Sequence, residues 1–259
     1  MSDNRTARIW ALVAAQAASR GASPSVTDVC AAAVGALAVS GAGLTAVTRA
    51  GSAHVMDVTD DVSERLAELQ LTLGEGPRAD ASAAGGPVLV PDLAAGHIMS
   101  RWPGFAPLAL EAGAAAIFAF PLQIGAIRIG ILELYRSQPG PLTPAELGDA
   151  LVFADTGTLL LLDGQGQAAG LATGLAGSQL GDPADRGDRR PAELAGHRAE
   201  IDQATGMLTE QLGVGVETAF VRLRAYAYAH DRRLQDVARD VVTRRLRLGS
   251  GSHPGSTDE

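Results

Sequence analysis

The stretch "AIFAFPLQIGAIRIGILELYR", residues 116–136, constrains the fold more than any other part of the chain. Two runs rich in Ile, Leu and Phe flank Gly125 and Ala126, and a two-residue break with glycine between strand-forming runs is the signature of a β-hairpin. The pattern predicts a half-buried antiparallel sheet. A hairpin is marginal alone, so the surrounding residues must supply further strands and a helical cover.

They do so on both sides. Upstream, "GLTAVTRA" and "AHVMDVTD" read as strands joined at "GS", and a helix is expected around Ser63 to Gln70. The Gly- and Pro-dense "LTLGEGPRADASAAGGPVLVPDL" then reads as a long loop ending in a short strand, Val88 to Val90. Downstream, "LTPAELGDALVFADTGTLLLLD" opens a helix with Thr143 at the cap, Pro144 at the first helical position and Glu146 three residues after the cap. Two more helices are expected near the start, about Ala7 to Ser19 and Ser25 to Val39, parted by "RGASPS". The expectation is a helical extension at 1–24 and a mixed α/β sensor domain with an antiparallel sheet at 25–163.

Residues 164–190 change character to Gly, Ala, Ser, Gln and Asp, which reads as a flexible linker. From 191 to 248 the pattern is purely helical. The first helix is expected over Ala192 to Leu212 after Pro191, and the second over Val216 to His230. The third carries Leu234, Val237, Ala238, Val241 and Val242 at i, i+3, i+4, i+7 and i+8, with Asp231 as the available cap. Residues 249–259 read as a disordered tail.

Composition removes several chemistries. The 21 basic residues are all Arg, so the Walker A and kinase nucleotide sites, which require Lys, are excluded. One cysteine, Cys30, leaves no intramolecular disulfide and no multi-cysteine metal site, which suits a reducing compartment. No apolar run has the 18 or more residues needed to span a bilayer, and the N-terminus lacks the order of a secretory signal, so a cytoplasmic location with no membrane partner is expected. There is no nucleophile elbow and no histidine pair at zinc spacing, so no enzyme activity, no metal site and no catalytic residue are expected.

Charge is unevenly divided. Residues 198–247 hold nine Arg against seven acidic residues, a balance of +2, while the rest of the chain stands at −10. Only the helical segment suits a polyanion. Within it, "IDQATGML" places Gly206 almost opposite the face marked by Ile201, Ala204, Leu208 and Leu212. A mid-helix Gly costs about 1 kcal/mol against Ala, so either the position is neutral or something approaches the backbone there.

The segment "IDQATGMLTEQLGVGVETAFVRLRAYAYAHDRRLQDVARDVV" resembles the ANTAR domain, an RNA-binding module of bacterial antitermination regulators. The resemblance rests on Gln203, Ala204, Gly206 and Met207, on Ala219, Phe220, Leu223 and Arg224, and on Leu234, Asp236, Val237 and Ala238. "LTLGEGP", "PVLVPDL", "RWPGFAP" and "FAFPLQIGAIRIGILELY" are similar to the GAF domain that precedes ANTAR in actinobacterial proteins. One departure stands out: Thr205 sits where many ANTAR members carry a basic residue.

The resemblance implies a dimer that binds paired RNA stem-loops near terminators, with the GAF-like part sensing an unidentified small molecule or protein. The candidate RNA-binding residues are Gln203, Ala204, Thr205, Gly206, Arg224, Tyr228, Arg232 and Arg233. Gly206 would let a loop approach, or equally let a partner helix pack closely. Arg239, Arg244, Arg245 and Arg247 would satisfy the helix end instead. The spacing of Leu194, Ile201 and Leu208 motivates a parallel homodimer. A binding pocket is expected between the sheet and the long loop, with no cofactor assigned. Arg78 is the one candidate for ligand contact, with a salt bridge to Asp80 or Glu75 as its bland alternative. Related sequences carry Cys at that position, so a thiol switch is excluded here. His54 and His97, the histidines available to a haem in this half, are expected at the surface. The competing reading is a DNA-binding helical regulator with a small-molecule sensor; a receiver domain needs a Lys the chain lacks.

Overall fold

The computed structural model describes residues 2–47, 53–174, 190–230 and 232–249, with side chains described in those ranges except at 2–3 and 165–198. The chain divides into two compact units, Met1–Pro191 and Ala192–Glu259.

The first unit is a five-stranded antiparallel sheet in the order β2-β1-β5-β4-β3. Its strands are β1 (Gly41–Val47), β2 (Ala53–Val58), β3 (Val88–Val90), β4 (Ala116–Ile124) and β5 (Ile127–Arg136). The hairpin forms at Gly125 and Ala126, with Ile124 opposite Ile127 in the β4–β5 register. Gly125 adopts φ +58°, which Gly reaches without the Cβ penalty. The sheet is not half-buried as its sequence pattern suggested. Phe118, Phe120, Leu132 and Leu134 pack under one helical layer, while Ile117 and Tyr135 pack under another. Near-continuous apolar strands are what a sheet covered on both faces requires.

One layer comprises α1 (Ser2–Ser19), α2 (Val26–Ala36) and α7 (Pro144–Gly174). Helix α1 begins earlier than expected and belongs to the core, with Ile9, Val13 and Ala17 fully buried. Arg20 ties it to α2 through two bonds to Asp28, at 3.0 and 2.6 Å. The cap expected for α7 is present: Thr143 N–H donates to Glu146 Oε2 at 2.7 Å, and Glu146 N–H donates to Thr143 Oγ1 at 3.2 Å. Helix α7 crosses the sheet at Gly157, where a Cβ would stand 3.3 Å from Leu44 Cδ1. It continues to Gly174, so residues 164–174, expected as linker, are helical in backbone. The rest of the expected linker and almost all of the expected tail, residues 175–189 and 250–259, lie outside the described residues.

The other layer comprises α3 (Asp61–Leu73), α4 (Pro77–Ala84), α5 (Gly96–Arg101) and α6 (Phe105–Glu111). The segment expected as one long loop therefore contains a helix. Helix α3 ends at Gly74 in the left-handed conformation, φ 72°, and α4 starts with Pro77 in its first turn. These glycines and prolines punctuate two helices, and Ala81, fully buried, gives α4 its seat.

The second unit consists of α8 (Arg190–Leu212), α9 (Val216–Ala229) and α10 (Leu234–Val242). Its core is Ala204, Leu208, Ala219, Leu223, Ala227, Leu234, Val237, Ala238 and Val241, none more than 1% exposed. The cap of α10 is Arg233, which makes no side-chain cap bond; the expected cap, Asp231, is outside the described residues.

Candidate nucleic-acid interface

Helix α8 turns Ala204 and Leu208 into the core of the second unit. At 100° per residue this aims Thr205 close to the same side and Gly206 away from it. Thr205 is 6% exposed, and its hydroxyl donates to Ile201 O at 2.7 Å. Ala204 and Thr205, expected at an RNA surface, thus face inward: each lies within 100° of Leu208, the centre of the packed stripe. Gln203 and Gly206 do lie on the exposed face. A Cβ at Gly206 would meet nothing within 4 Å. Nothing among the described residues requires this glycine, although the face it opens is not cationic. Asp202 and Glu210 flank it one turn to either side, both exposed.

The expected dimer seam does not survive in its original form. Leu208 is 0% exposed within its own three-helix unit, so it cannot also line a seam with Ile201. The side chain of Leu194, the third member of that spacing, is outside the described residues.

Helix α9 buries Ala219, Leu223 and Ala227. Arg224 lies at the margin of that stripe, its guanidinium 5.7 Å from the centre of the Phe220 ring. Burial lowers its pKa, which still leaves an arginine charged at neutral pH. Tyr226 stacks on His230, with ring centres 3.9 Å apart, whereas Tyr228 is 64% exposed.

The arginines of the turn are unequal. Arg232 donates to Asp240 at 2.7 Å, so its charge is partly spent within the unit. Arg233 is exposed. Arg239, expected to serve the helix end, instead donates to Glu200 of α8 at 3.2 Å and cross-links two helices. Arg222, Arg244, Arg245 and Arg247 are exposed and make no ion pair among the described residues. Arg222 is the residue that sequence reasoning passed over. The helical wheel alone does not mark it, since at 100° per residue it lies only about 60° from the buried Ala219.

In the first unit, Arg78 is 6% exposed. The acids expected to pair with it, Asp80 and Glu75, are engaged by other groups. Asp80 accepts from Arg101 at 2.6 Å and from Trp102 Nε1 at 3.2 Å, and Glu75 accepts the N–H groups of Gly104 and Phe105, both at 2.7 Å. Arg78 belongs instead to a buried polar group with Gln70 and Glu133. Gln70 donates to Glu133 Oε1 at 2.6 Å and accepts from the Arg78 N–H at 2.8 Å. Burial pushes the Glu133 carboxyl up, and the Arg78 charge and the Gln70 bond partly oppose it.

Beside this group, between α3 and the sheet, is a cavity of about 10 Å³ lined by Thr45, Ser63, Glu133 and Tyr135 among others. That is room for one water, and it lies under a helix and not under the expected long loop. His54 is 9% exposed on β2, contrary to its expected surface position, because β2 places it opposite Ala46 of the core. His97 is exposed on α5. Cys30 is fully buried, and burial, reinforced by Asp57, pushes its thiol pKa well up, so it is held as the unreactive thiol. Among the described residues, no group of three or more His, Cys, Asp or Glu could hold a metal, and no helix is long and apolar enough to cross a membrane.

The coordinates thus define an antiparallel sheet domain sheathed by helices on both faces, followed by a three-helix module. Residues 193–242 match the sequence profile of the ANTAR domain, which spans that module. No curated protein sequence matches the chain. The first unit is similar to several solved structures. The GAF domain of a phosphoenolpyruvate-protein phosphotransferase from Coxiella burnetii is 15% identical, with 63% of this chain and 98% of that one covered at a TM-score of 0.49. The equivalent GAF domain from Acinetobacter is 14% identical, with 65% and 98% covered at a TM-score of 0.47. A free methionine-R-sulfoxide reductase from Neisseria meningitidis, solved with its substrate, is 14% identical, with 62% and 93% covered at a TM-score of 0.42.

Proposed function

We propose that the chain is an RNA-binding antitermination regulator of the actinobacterial GAF and ANTAR type, acting in the cytoplasm. The single observation that carries this reading is the match of residues 193–242 to the ANTAR domain, over a span that folds as a closed three-helix core. The helical module binds paired RNA hairpins next to terminators and so prevents a terminator from forming. The sheet domain, at 25–163 with the helix before it, senses the signal, and the segment 164–190 joins the two. The working form is a homodimer.

Physical chemistry supports an RNA output over duplex DNA. A helix laid in the major groove comes close to the phosphates of both strands, which carboxylates on its exposed face repel. Helix α10 presents Asp236 and Asp240 beside Arg239, and Arg239 is already engaged with Glu200. Hairpin loops, by contrast, expose unstacked bases to side chains that stack or hydrogen-bond. Gln203, Gly206, Arg224, Tyr228, Arg232 and Arg233 are the residues we assign to this contact. Ala204 and Thr205 act by shaping the helix beneath it.

The test is a competition between hairpin RNA and duplex DNA for the full chain at one fixed salt concentration, since salt alone moves such affinities by orders of magnitude. Displacement of RNA by RNA and not by duplex is the expected result. Preference for duplex would replace this reading with that of a DNA-binding regulator.

A further inference from the structure

Resting on the RNA reading, we infer that the solvent face of α9 is the seat for an unpaired base of the RNA loop, with Tyr228 as its stacking platform and Arg222 as the contact to the adjoining phosphate. Phosphate cannot be drawn to α8, whose open face at Gly206 is bracketed by the exposed carboxylates Asp202 and Glu210. Like charges on both sides of a contact repel a polyanion. Helix α9 has the opposite character. Its one acid is Glu217, in the first turn, and beyond it the exposed charge is Arg222, which no carboxylate among the described residues neutralises.

The shape of the same face suits a planar ligand. Val221 and Tyr228 are 56% and 64% exposed and stand seven residues apart, so they lie on one stripe. Between them Ala225, also exposed, leaves the backbone uncrowded. Phe220, Arg224 and Tyr228 follow each other at four-residue steps, which makes a ridge of ring, guanidinium and ring along the edge of the stripe. The Arg224 guanidinium lies against the Phe220 ring, and a base laid on the Tyr228 ring meets an apolar floor of Val221 and Ala225. Stacking of this kind accepts any base, so the face supplies affinity for unpaired RNA, while Gln203 supplies hydrogen-bond choice.

The experiment uses the full chain and hairpin RNAs with randomised loops, from which the wild-type protein selects binders. A selected hairpin is relabelled with 2-aminopurine at successive loop positions, and its affinity and fluorescence are read at fixed salt. Tyr228→Ala should weaken binding about tenfold or more, as expected for loss of one stacked base, and abolish the quenching of one loop position. Tyr228→Phe should keep both. Arg222→Ala should lower the slope of log affinity against log salt by about 0.7, the signature of one lost phosphate on a single strand, and Tyr228→Ala should leave that slope alone. Both variants should melt as the wild type does, since neither side chain is in the core. If Tyr228→Ala binds and quenches like the wild type, the face is not the seat, although the RNA reading stands. A Tyr228→Ala protein that sediments at half the wild-type mass with loop quenching intact would assign the face to a second copy and overturn the inference. Failure of the wild type to select any hairpin would remove both readings.

Discussion

Replacing Gly206 by Ala separates the cost of this residue from its use. Helix α8 is continuous through the position, and an added Cβ would find open space, with no heavy atom within 4 Å. The substitution therefore carries no steric penalty, only the gain of a better helix former, about 1 kcal/mol at an exposed interior site. For a module of this size that gain raises the midpoint of its thermal transition by roughly 4–8 °C. Circular dichroism at 222 nm on the full chain reads it, because wavelength and protein are the same for both variants and only the transition of the second unit should move. RNA affinity, measured on the same preparations, should fall as the methyl group blocks close approach of the loop. A midpoint that stays put or drops would refute the structural reasoning, since it would mean that the backbone at 206 is not free. A raised midpoint with unchanged RNA affinity would remove Gly206 from the contact while leaving the helix argument intact.

Other perturbations test separate parts of the molecule. Leu208→Ala deletes a side chain that is 0% exposed and should cost about 2–5 kcal/mol; the melt should lose the transition of the helical unit while that of the sheet unit remains. Glu146 is held below its ordinary pKa of 4.5, its bonds to Thr143 and the Arg136 charge outweighing the opposing effect of burial. Its contribution is therefore present above about pH 4.5 and disappears as pH falls through the lowered value, so denaturant midpoints of Glu146→Gln should decline less steeply with acid than those of the wild type. Arg78→Met leaves the buried Glu133 without its positive neighbour and should cost on the order of 3 kcal/mol at neutral pH, with partial recovery on acidification as Glu133 is protonated; urea unfolding at two pH values measures both. Asp202→Asn with Glu210→Gln removes the carboxylates beside Gly206 and should tighten binding to hairpin RNA, most visibly at low salt in a titration series.

The amino-acid sequence by itself determined the parts of this protein whose signals are local. The β4–β5 hairpin follows from Gly125 and Ala126 between strand-forming runs, the start of α7 from Thr143, Pro144 and Glu146, and the core stripe of α10 from an unbroken helical period. Each depends on neighbours within a few residues, and short-range chemistry is what a linear pattern records. The surface positions of Gly206 and Tyr228 were legible for the same reason, being opposite or beside an apolar stripe on a single helix.

Tertiary structure decided everything that depended on what lies across from a residue. It hid Thr205 within the helical unit, gave Arg239 to Glu200, and set Arg78 beside Gln70 and Glu133. It also covered the sheet on both faces and left a water-sized cavity under α3. An arginine or a half-apolar helix has several satisfactory partners in sequence, and only packing selects one, because burial makes an unpaired charge far more costly than a surface one. That selection also left Arg222 as the charge available on α9, a consequence of pairing elsewhere that no local pattern contains.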